Sequence, residues 1–240
     1  MPKTVPNTSE YSNSANDIYQ ELKRLDLLGG TLEGLKPGIE HANHRRYDEA
    51  SVIFHEGSPI DSLQIVLRGR IKLVHYMDNG NARIVRLHNK GSILGLNGLL
   101  QEAHEHTAIS IDAVEAYEIP MMRLHELKND DLKTYSQLLE FWNDYLHMAD
   151  KWITDFSTGP IRSRIARLIL HLADIDDVTG ESQARLLTGE EMAEILGVTP
   201  ESISRTIAEF KRSEILVPIE PTTEHTFQCD LELLEEIAEG

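Results

Sequence analysis

One cysteine, nine prolines and an aromatic content of 6% in 240 residues set the first limits on this chain. Cys229 stands alone, so no internal disulfide forms, and alone it holds neither an iron–sulfur cluster nor a cysteine-rich zinc site. That usage suits a reducing compartment. No apolar run approaches the roughly 20 residues that cross a bilayer, and the N-terminus lacks a signal-peptide pattern. A cytoplasmic protein with no membrane partner is expected. Positive charge is scarce: 23 Lys and Arg stand against 40 Asp and Glu, a net −17. This argues against nonspecific attraction to nucleic acid, which rests on phosphate neutralisation. Enzyme signatures are also missing. There is no nucleophile elbow, phosphate loop, zinc-ligand spacing or pair of carboxylates in a defined setting. Asp174, Asp176 and Asp177 read as part of an acidic loop over 174–180, and no catalysis is expected.

What is present is a soluble composition, 40% hydrophobic and 26% charged, long enough for two cores. The most informative stretch is Leu187 to Leu216, which reads as two helices and a tight turn. Thr188 followed by Glu191 is a capping-box pattern. Met192, Ile195 and Leu196 share one helical face, with small Ala193 beside them where a second helix passes. Gly197 supplies a helix end at positive φ, Thr199 a second cap, and Pro200 the first position of the next helix. Ile203, Ile207 and Phe210 then face inward, while Glu201, Ser204 and Arg205 face out. Such a pair is a helix-turn-helix whose second helix can enter a DNA major groove. Residues 160–240 carry seven Lys and Arg against seventeen Asp and Glu, a balance of −10. DNA binding here therefore needs a local patch, for which Arg185, Arg205, Lys211 and Arg212 are the candidates.

In chain order, residues 1–16 are rich in Ser, Thr, Asn and Pro and read as a mobile arm. Asn16 or Asp17 then caps a short helix carrying Ile18, Leu22 and Leu25, ended by Gly29-Gly30. From about Arg46 to Pro120, short apolar runs recur between glycines, as in Val52–Phe54, Leu63–Leu67, Ile71–Val74, Ile84–Leu87 and Ile109–Ile111. Asp78-Asn79-Gly80 signals a type I′ hairpin. Together these predict a small antiparallel β-roll with room for one ligand between its sheets. Residues 131–158 lack Gly and Pro. Leu132, Tyr135, Leu139, Trp142, Leu146, Ala149, Ile153 and Phe156 step alternately by three and four, a heptad seam predicting a long helix that pairs with a second copy. A two-fold dimer reads a palindrome with half-sites about one helical turn apart. Ser157 to Pro160 forms a hinge, Ile161–Ala173 an amphipathic helix, Leu216–Ile219 and His225–Cys229 a two-stranded wing, and Leu231–Ala238 a last helix.

The fold class is thus α+β: an N-terminal antiparallel β-roll over 17–130, a dimerisation helix over 131–158, and a C-terminal winged helix-turn-helix over 159–240. This order resembles the bacterial Crp/Fnr family of transcription regulators, from about residue 17 to the end, and the resemblance implies that the roll is of the cyclic-nucleotide-binding kind. The most specific match runs from Leu196 to Arg205. The resemblance implies that outward residues of the second helix read base edges. Fnr-like members carry Glu, two residues, then Ser-Arg, and prefer half-sites containing TTGA; here the pattern falls on Glu201, Ser204 and Arg205. Members closer to the cyclic-AMP receptor place an Arg before the Glu, where this chain has Pro200. The chemistry agrees: Arg205 can donate two hydrogen bonds to guanine, Glu201 can accept from cytosine N4, and Thr199, Ser202 and the nearby amides can hold phosphates. The resemblance also implies contact with RNA polymerase if the protein activates transcription.

In relatives that bind cyclic nucleotides, a Gly-Glu is followed by an Arg eleven residues after the Gly. The Gly is kept as Gly95, but the Glu position is Leu96 and the Arg position is His106, with Asn97 and Thr107 alongside. A neutral His lacks the permanently charged fork that suits phosphate. Ala149 and Asp150, the dimer-helix positions expected near a purine, offer no hydroxyl and a repelling charge. Cyclic AMP is therefore disfavoured, and the effector is left open, as is action without one. A haem would need a His such as His75, His88, His104 or His106, and each reads as a surface or turn residue. Glu102, His104, Glu105 and His106 are a possible divalent-ion set but read as a solvated loop, and His106 in a pocket would titrate near neutrality. The alternative function is a ligand sensor that regulates a protein partner without binding DNA.

Overall fold

The computed structural model describes residues 15–24, 36–176, 182–219 and 225–240. Most of the N-terminal arm, Gly29-Gly30 and the tip of the wing lie outside the described residues. The elements are α1 (Ala15–Arg24), α2 (Lys36–Ile39), β1 (Asn43–Tyr47), β2 (Val52–Phe54), β3 (Ser62–Arg68), β4 (Ile71–Tyr76), β5 (Ala82–His88), β6 (Ile93–Leu94), β7 (Thr107–Ser110), β8 (Val114–Pro120), α3 (Met121–Asp130), α4 (Leu132–Ser157), α5 (Ile161–Asp176), β9 (Gln183–Arg185), α6 (Gly189–Leu196), α7 (Pro200–Arg212), β10 (Leu216–Pro218), β11 (Thr226–Cys229) and α8 (Leu231–Glu239). Packing divides them into two units. One holds the described residues through Tyr76 with Val85–His147, the other the described residues of Met77–Ile84 and Met148–Gly240. Helix α4 begins in the first and ends in the second.

The first unit is built on two antiparallel sheets, ordered β1-β8-β3-β6 and β2-β7-β4-β5. Strand β3 is buried on both faces, which is why it reads as an unbroken apolar run. Its Leu63, Ile65 and Leu67 join a core under the helices with Ile18, Leu22, Ile39, Tyr117, Leu124 and Leu138. Val66 instead joins Ile71, Leu94, Ala108 and Val114 in a second, smaller core. Strands β1, β6 and β8 escape the sequence reading. β1, Asn-His-Arg-Arg-Tyr, is polar, and pairs residue for residue with β8 through Arg45↔Ala116 and its neighbours. Arg45 reaches Glu118 on that partner at 2.7 Å. Only the folded sheet places such charges opposite each other.

Three local expectations are corrected. Helix α1 starts at Ala15, so Asn16 and Asp17 lie within it rather than capping it. The β4–β5 connection is not a type I′ turn. Only Gly80 has positive φ, 83°, and the bonds Gly80 N→Met77 O and Met77 N→Asn81 O close a three-residue loop. The Asn79 side chain accepts from Asn81 N at 3.0 Å, which holds Asn79 in its ordinary conformation. The acidic stretch is helical through Asp176, because Leu172 and Ala173 of α5 are buried and carry the helix onward.

The heptad seam splits in two. Leu132, Leu146 and Ile153 are 71%, 52% and 60% exposed, and Leu139, which shares their seven-residue spacing, is half-buried. Tyr135 and Trp142 are turned against the core of their own unit, together with Leu138 and Phe141. Phe156 is 3% exposed and meets Trp152 edge-on at 4.6 Å and His171 of α5 at 5.8 Å. The inward seam is therefore Tyr135, Leu138, Trp142, Tyr145, Trp152 and Phe156, which keeps three of the expected residues and has Leu138, Tyr145 and Trp152 in place of Leu139, Leu146 and Ile153. Its polar anchor is His88 of β5. This ring is 1% exposed, stacks on Tyr145 at 5.3 Å and shares a hydrogen bond with the Tyr145 hydroxyl. The Arg86 guanidinium covers the Tyr145 ring at 4.0 Å. His88, expected at a surface or turn, closes the joint between sheet and helix.

Burial, seconded by the Arg86 charge, pushes the His88 ring down from 6.5 to about 3. The folded state thus keeps it neutral where the unfolded chain protonates it, so its contribution is full above pH 6.5 and is lost as pH falls toward 3. His104, pushed down to about 4, adds to the same slope. Urea unfolding at pH 7.5, 6 and 5 should show stability falling with acidity. His88→Gln, which keeps a partner for Tyr145, should flatten that fall by about 1.4 kcal/mol per pH unit. An unchanged slope would show that His88 does not titrate on unfolding.

Candidate nucleic-acid interface and effector roll

The second unit is organised on α5, whose Ile165, Leu168, Ile169 and Leu172 are fully buried. Helix α6 follows the capping box expected from sequence. Glu191 N donates to Thr188 Oγ1 at 3.2 Å, and Thr188 N donates back to Glu191 Oε2 at 3.0 Å. Gly197 sits at φ 61°, ψ 45°, and both its N–H and that of Val198 reach Ala193 O, closing the last turn. Thr199 then caps α7 by accepting from Ser202 N at 3.4 Å, with Pro200 at the first helical position. Met192, Ile195, Leu196, Ile203 and Phe210 are buried between the helices. Thr206 is buried too, its hydroxyl donating to Ser202 O, whereas Ile207, expected inside, is only half-buried.

This frame presents Thr199, Glu201, Ser204 and Arg205 to solvent, with Ser202 half-buried behind them. The two side chains expected to read bases, Glu201 and Arg205, are both folded back on α7. Arg205 Nε donates to Glu201 O at 3.3 Å. The Glu201 carboxyl is held below its usual range first by a hydrogen bond from its own N–H, then by the Thr199 hydroxyl and the Arg205 charge. It is ionised at neutral pH, and base contact would require it to leave the helix end. Ala208 and Arg212 continue the exposed face one and two turns on. Other cations of the expected patch are engaged elsewhere: Lys211 lies over Phe227 of β11 at 4.5 Å, and Arg185 is half-buried on β9. Arg162 is paired with Glu209 at 3.0 Å. The wing has three strands, β10-β11-β9, rather than the two expected. Gln-Ala-Arg, the third strand, is too short and polar to be recognised without its partner.

The effector positions of the roll scatter. Gly95, at φ 81°, could not accept a side chain, since a Cβ there would meet Ser62 O at 2.4 Å. Leu96 points into the core under the helices, away from the space between the sheets. Asn97 donates to Gln101 Oε1 at 3.3 Å. Thr107 is buried, its hydroxyl accepting from Glu56 N at 3.1 Å. His106 is half-buried and faces His75 at 6.1 Å, and His75 reaches Glu56 at 3.4 Å. Burial lowers the His106 ring below its ordinary value, against the expectation of titration near neutrality, with Glu105 opposing and His75 assisting. His104, read as part of a solvated loop, is buried and stacked on Phe54 at 3.6 Å, so Glu102 and Glu105 stand without it. Among the described residues no group of three or more His, Cys, Asp or Glu side chains is set to hold a metal ion. Ala149 and Asp150 belong to the other unit.

Comparison with known proteins adds to this geometry. A family model described as a cyclic nucleotide-binding domain matches residues 44–131, and one described as a Crp-like helix-turn-helix domain matches residues 163–237. Electron transport regulator A of Shewanella oneidensis is 27% identical over 195 residues, covering 80% of this chain and 74% of that one. The transcriptional activator protein Anr of Pseudomonas protegens is 26% identical over 175 residues, 72% of each chain. FixK2 from Bradyrhizobium japonicum shares the fold, with a TM-score of 0.73 at 18% identity over 82% of this chain and 96% of its own.

The capping box sets the start of α6 and hence the turn that aims α7. Thr188→Ala removes two of its hydrogen bonds and should lower stability by about 1 kcal/mol. Urea titration followed by circular dichroism measures it, and a loss below a few tenths would mean that the cap contributes nothing.

Proposed function

The chain belongs to the Crp/Fnr family of DNA-binding transcription regulators, and we propose that it acts as a homodimer on palindromic sites with TTGA-type half-sites. Residues 17–130 form the sensing domain, 131–158 join two copies, and 159–240 read DNA. The observation that carries this reading is the exposed face of α7, where Glu201, Ser204 and Arg205 project from a helix whose start is fixed by Thr199 and Pro200. Ser204 and Arg205 stand one turn from Glu201, so all three lie on the side turned from Ile203 and Phe210. Thr199 and Ser202, at the amide end of the helix, suit the DNA backbone. Net acidity confines attraction to this face, so nonspecific affinity should be weak and specific affinity strongly salt-dependent.

Dimerisation is supported by Leu132, Leu139, Leu146 and Ile153, the apolar line of α4 that its own chain leaves largely uncovered. The d positions Tyr135, Trp142 and Phe156 are already occupied within the protomer, so the contact between copies runs along the a positions beside Ser136, Asn143 and Asp150. Cyclic AMP is not the effector in this reading. A phosphate at the roll would meet His106, held neutral by burial, and the nearby Glu56 carboxylate, with no carboxylate at Leu96 for a ribose.

Anisotropy titration of a labelled duplex with two TTGA half-sites tests the reading. Arg205→Ala should lose about 1–3 kcal/mol of preference for that duplex over one with altered half-sites. Equal binding of variant and wild type would remove Arg205 from the recognition set. Native mass spectrometry should show a dimer of 27.2 kDa chains that Leu146→Glu with Ile153→Glu converts to monomer. A double variant that stays dimeric would place the interface elsewhere.

A further inference from the structure

Two arginines on α5 gather the carboxyl ends of three helices. Arg164 Nε donates to Phe156 O, near the end of α4, at 2.8 Å, and its Nη2 donates to Leu196 O, the last carbonyl of α6. One turn on, Arg167 Nη1 donates to Asp155 O at 2.7 Å and to Thr158 O in the hinge at 3.0 Å, while its Nε donates to Ala238 O near the end of α8 at 3.0 Å. The last carbonyls of a helix have no partner within it and carry its negative partial charge, so they suit a guanidinium. A planar fork with donors on separate edges can hold carbonyls of two elements at once, which an ammonium group cannot do in fixed geometry. The hinge is shaped to allow it: Gly159, at φ 85°, lies where a Cβ would stand 3.2 Å from Arg167 Nη2.

We infer that Arg164 and Arg167 are positioning residues for DNA recognition, fixing the turn of the helix-turn-helix to the end of the dimer helix. Arg164 is the direct link. Its two bonds span the hinge from α4 to Leu196, the residue before the Gly197 turn that aims α7. Arg167 holds the hinge backbone on both sides of Ser157. Rotation of the recognition helix about Ser157–Pro160 would have to break these bonds. In a dimer joined through α4, that fixes the separation and angle of two recognition helices. The contribution to affinity is then made on paired half-sites rather than on one.

This inference rests on the dimeric DNA-reading function above, and its test separates the two. Full-length wild type and Arg164→Ala are titrated by anisotropy against a single TTGA half-site and against palindromes whose half-sites are about one turn apart, then moved by one, two and five base pairs. Wild type should favour one spacing by about tenfold or more. Arg164→Ala should lose most of that spacing preference, a coupling factor within the ordinary range of about 5–150-fold, while its single half-site affinity changes less than about threefold. Arg167→Ala should act in the same direction. If an alanine variant loses its helical circular dichroism, Arg164→Lys takes its place; it keeps the charge but not the fork and should also flatten the spacing profile. Wild-type protein that ignores TTGA duplexes altogether overturns the functional reading. A variant that keeps the wild-type spacing profile, or loses half-site and palindrome affinity in parallel, overturns the positioning role.

Discussion

A single long helix has to be satisfied by its own chain on one side and left available on the other. That constraint on α4 orders much else in the molecule. Its inward seam is filled by large groups, Leu138, Trp142, Tyr145 and Phe156, with His88 and Arg86 placed to receive the Tyr145 hydroxyl and its ring. Its outward line is one residue wide, apolar at every seventh position and polar beside it. A helix with a broad apolar face would collapse onto one neighbour. Two narrow seams about a heptad position apart let it cover a core on one side and, in the proposed dimer, meet a second copy on the other.

The same economy of charge governs the recognition end. With ten more acidic than basic residues from 160 onward, the chain cannot rely on a general field to hold DNA. The cations that remain are deployed locally. Arg162 is balanced by Glu209, Lys211 rests on Phe227, and Arg164 and Arg167 face carbonyls inside the unit. Arg205 and Arg212 are left on the exposed face, where Arg205 and Glu201 are bonded to their own helix. In the proposed recognition, affinity gained from such residues depends on where the helix points, which is what the hinge bonds are inferred to set. An acidic regulator of this kind exchanges general attraction for selectivity, since misplaced contacts are not compensated by bulk charge.

The roll shows how a frame persists while its chemistry changes. Gly95 is required by backbone contact with Ser62 whatever is bound. The positions around it are not so constrained. Leu96 became part of the core, and His106 joined a set with His75 and Glu56. Similarity to a cyclic nucleotide-binding domain over 44–131 therefore describes the fold of this unit, within which Leu96 and His106 stand at the two positions compared.

The linear sequence by itself determined whatever depends on near neighbours. The capping box at Thr188, the left-handed Gly197, Pro200 at the start of α7, the gap at Ser157–Pro160 and the apolar runs of the inner strands are all decided within about four residues, and each was legible. Residues whose meaning depends on a distant partner were not. β1 and β9 are polar strands that exist because β8 and β11 lie beside them. The choice between the a and d lines of α4 was made by the core they meet, since periodicity fixes which residues share a face but not what covers it. His88 looked like a turn residue until Tyr145, 57 positions away, came to its ring. Nothing in the sequence singles out Arg164 and Arg167 on the amphipathic stretch Ile161–Ala173. Only folding brings the ends of α4, α6 and α8 to them, because a carbonyl at a helix end carries no mark in the sequence of which side chain will reach it.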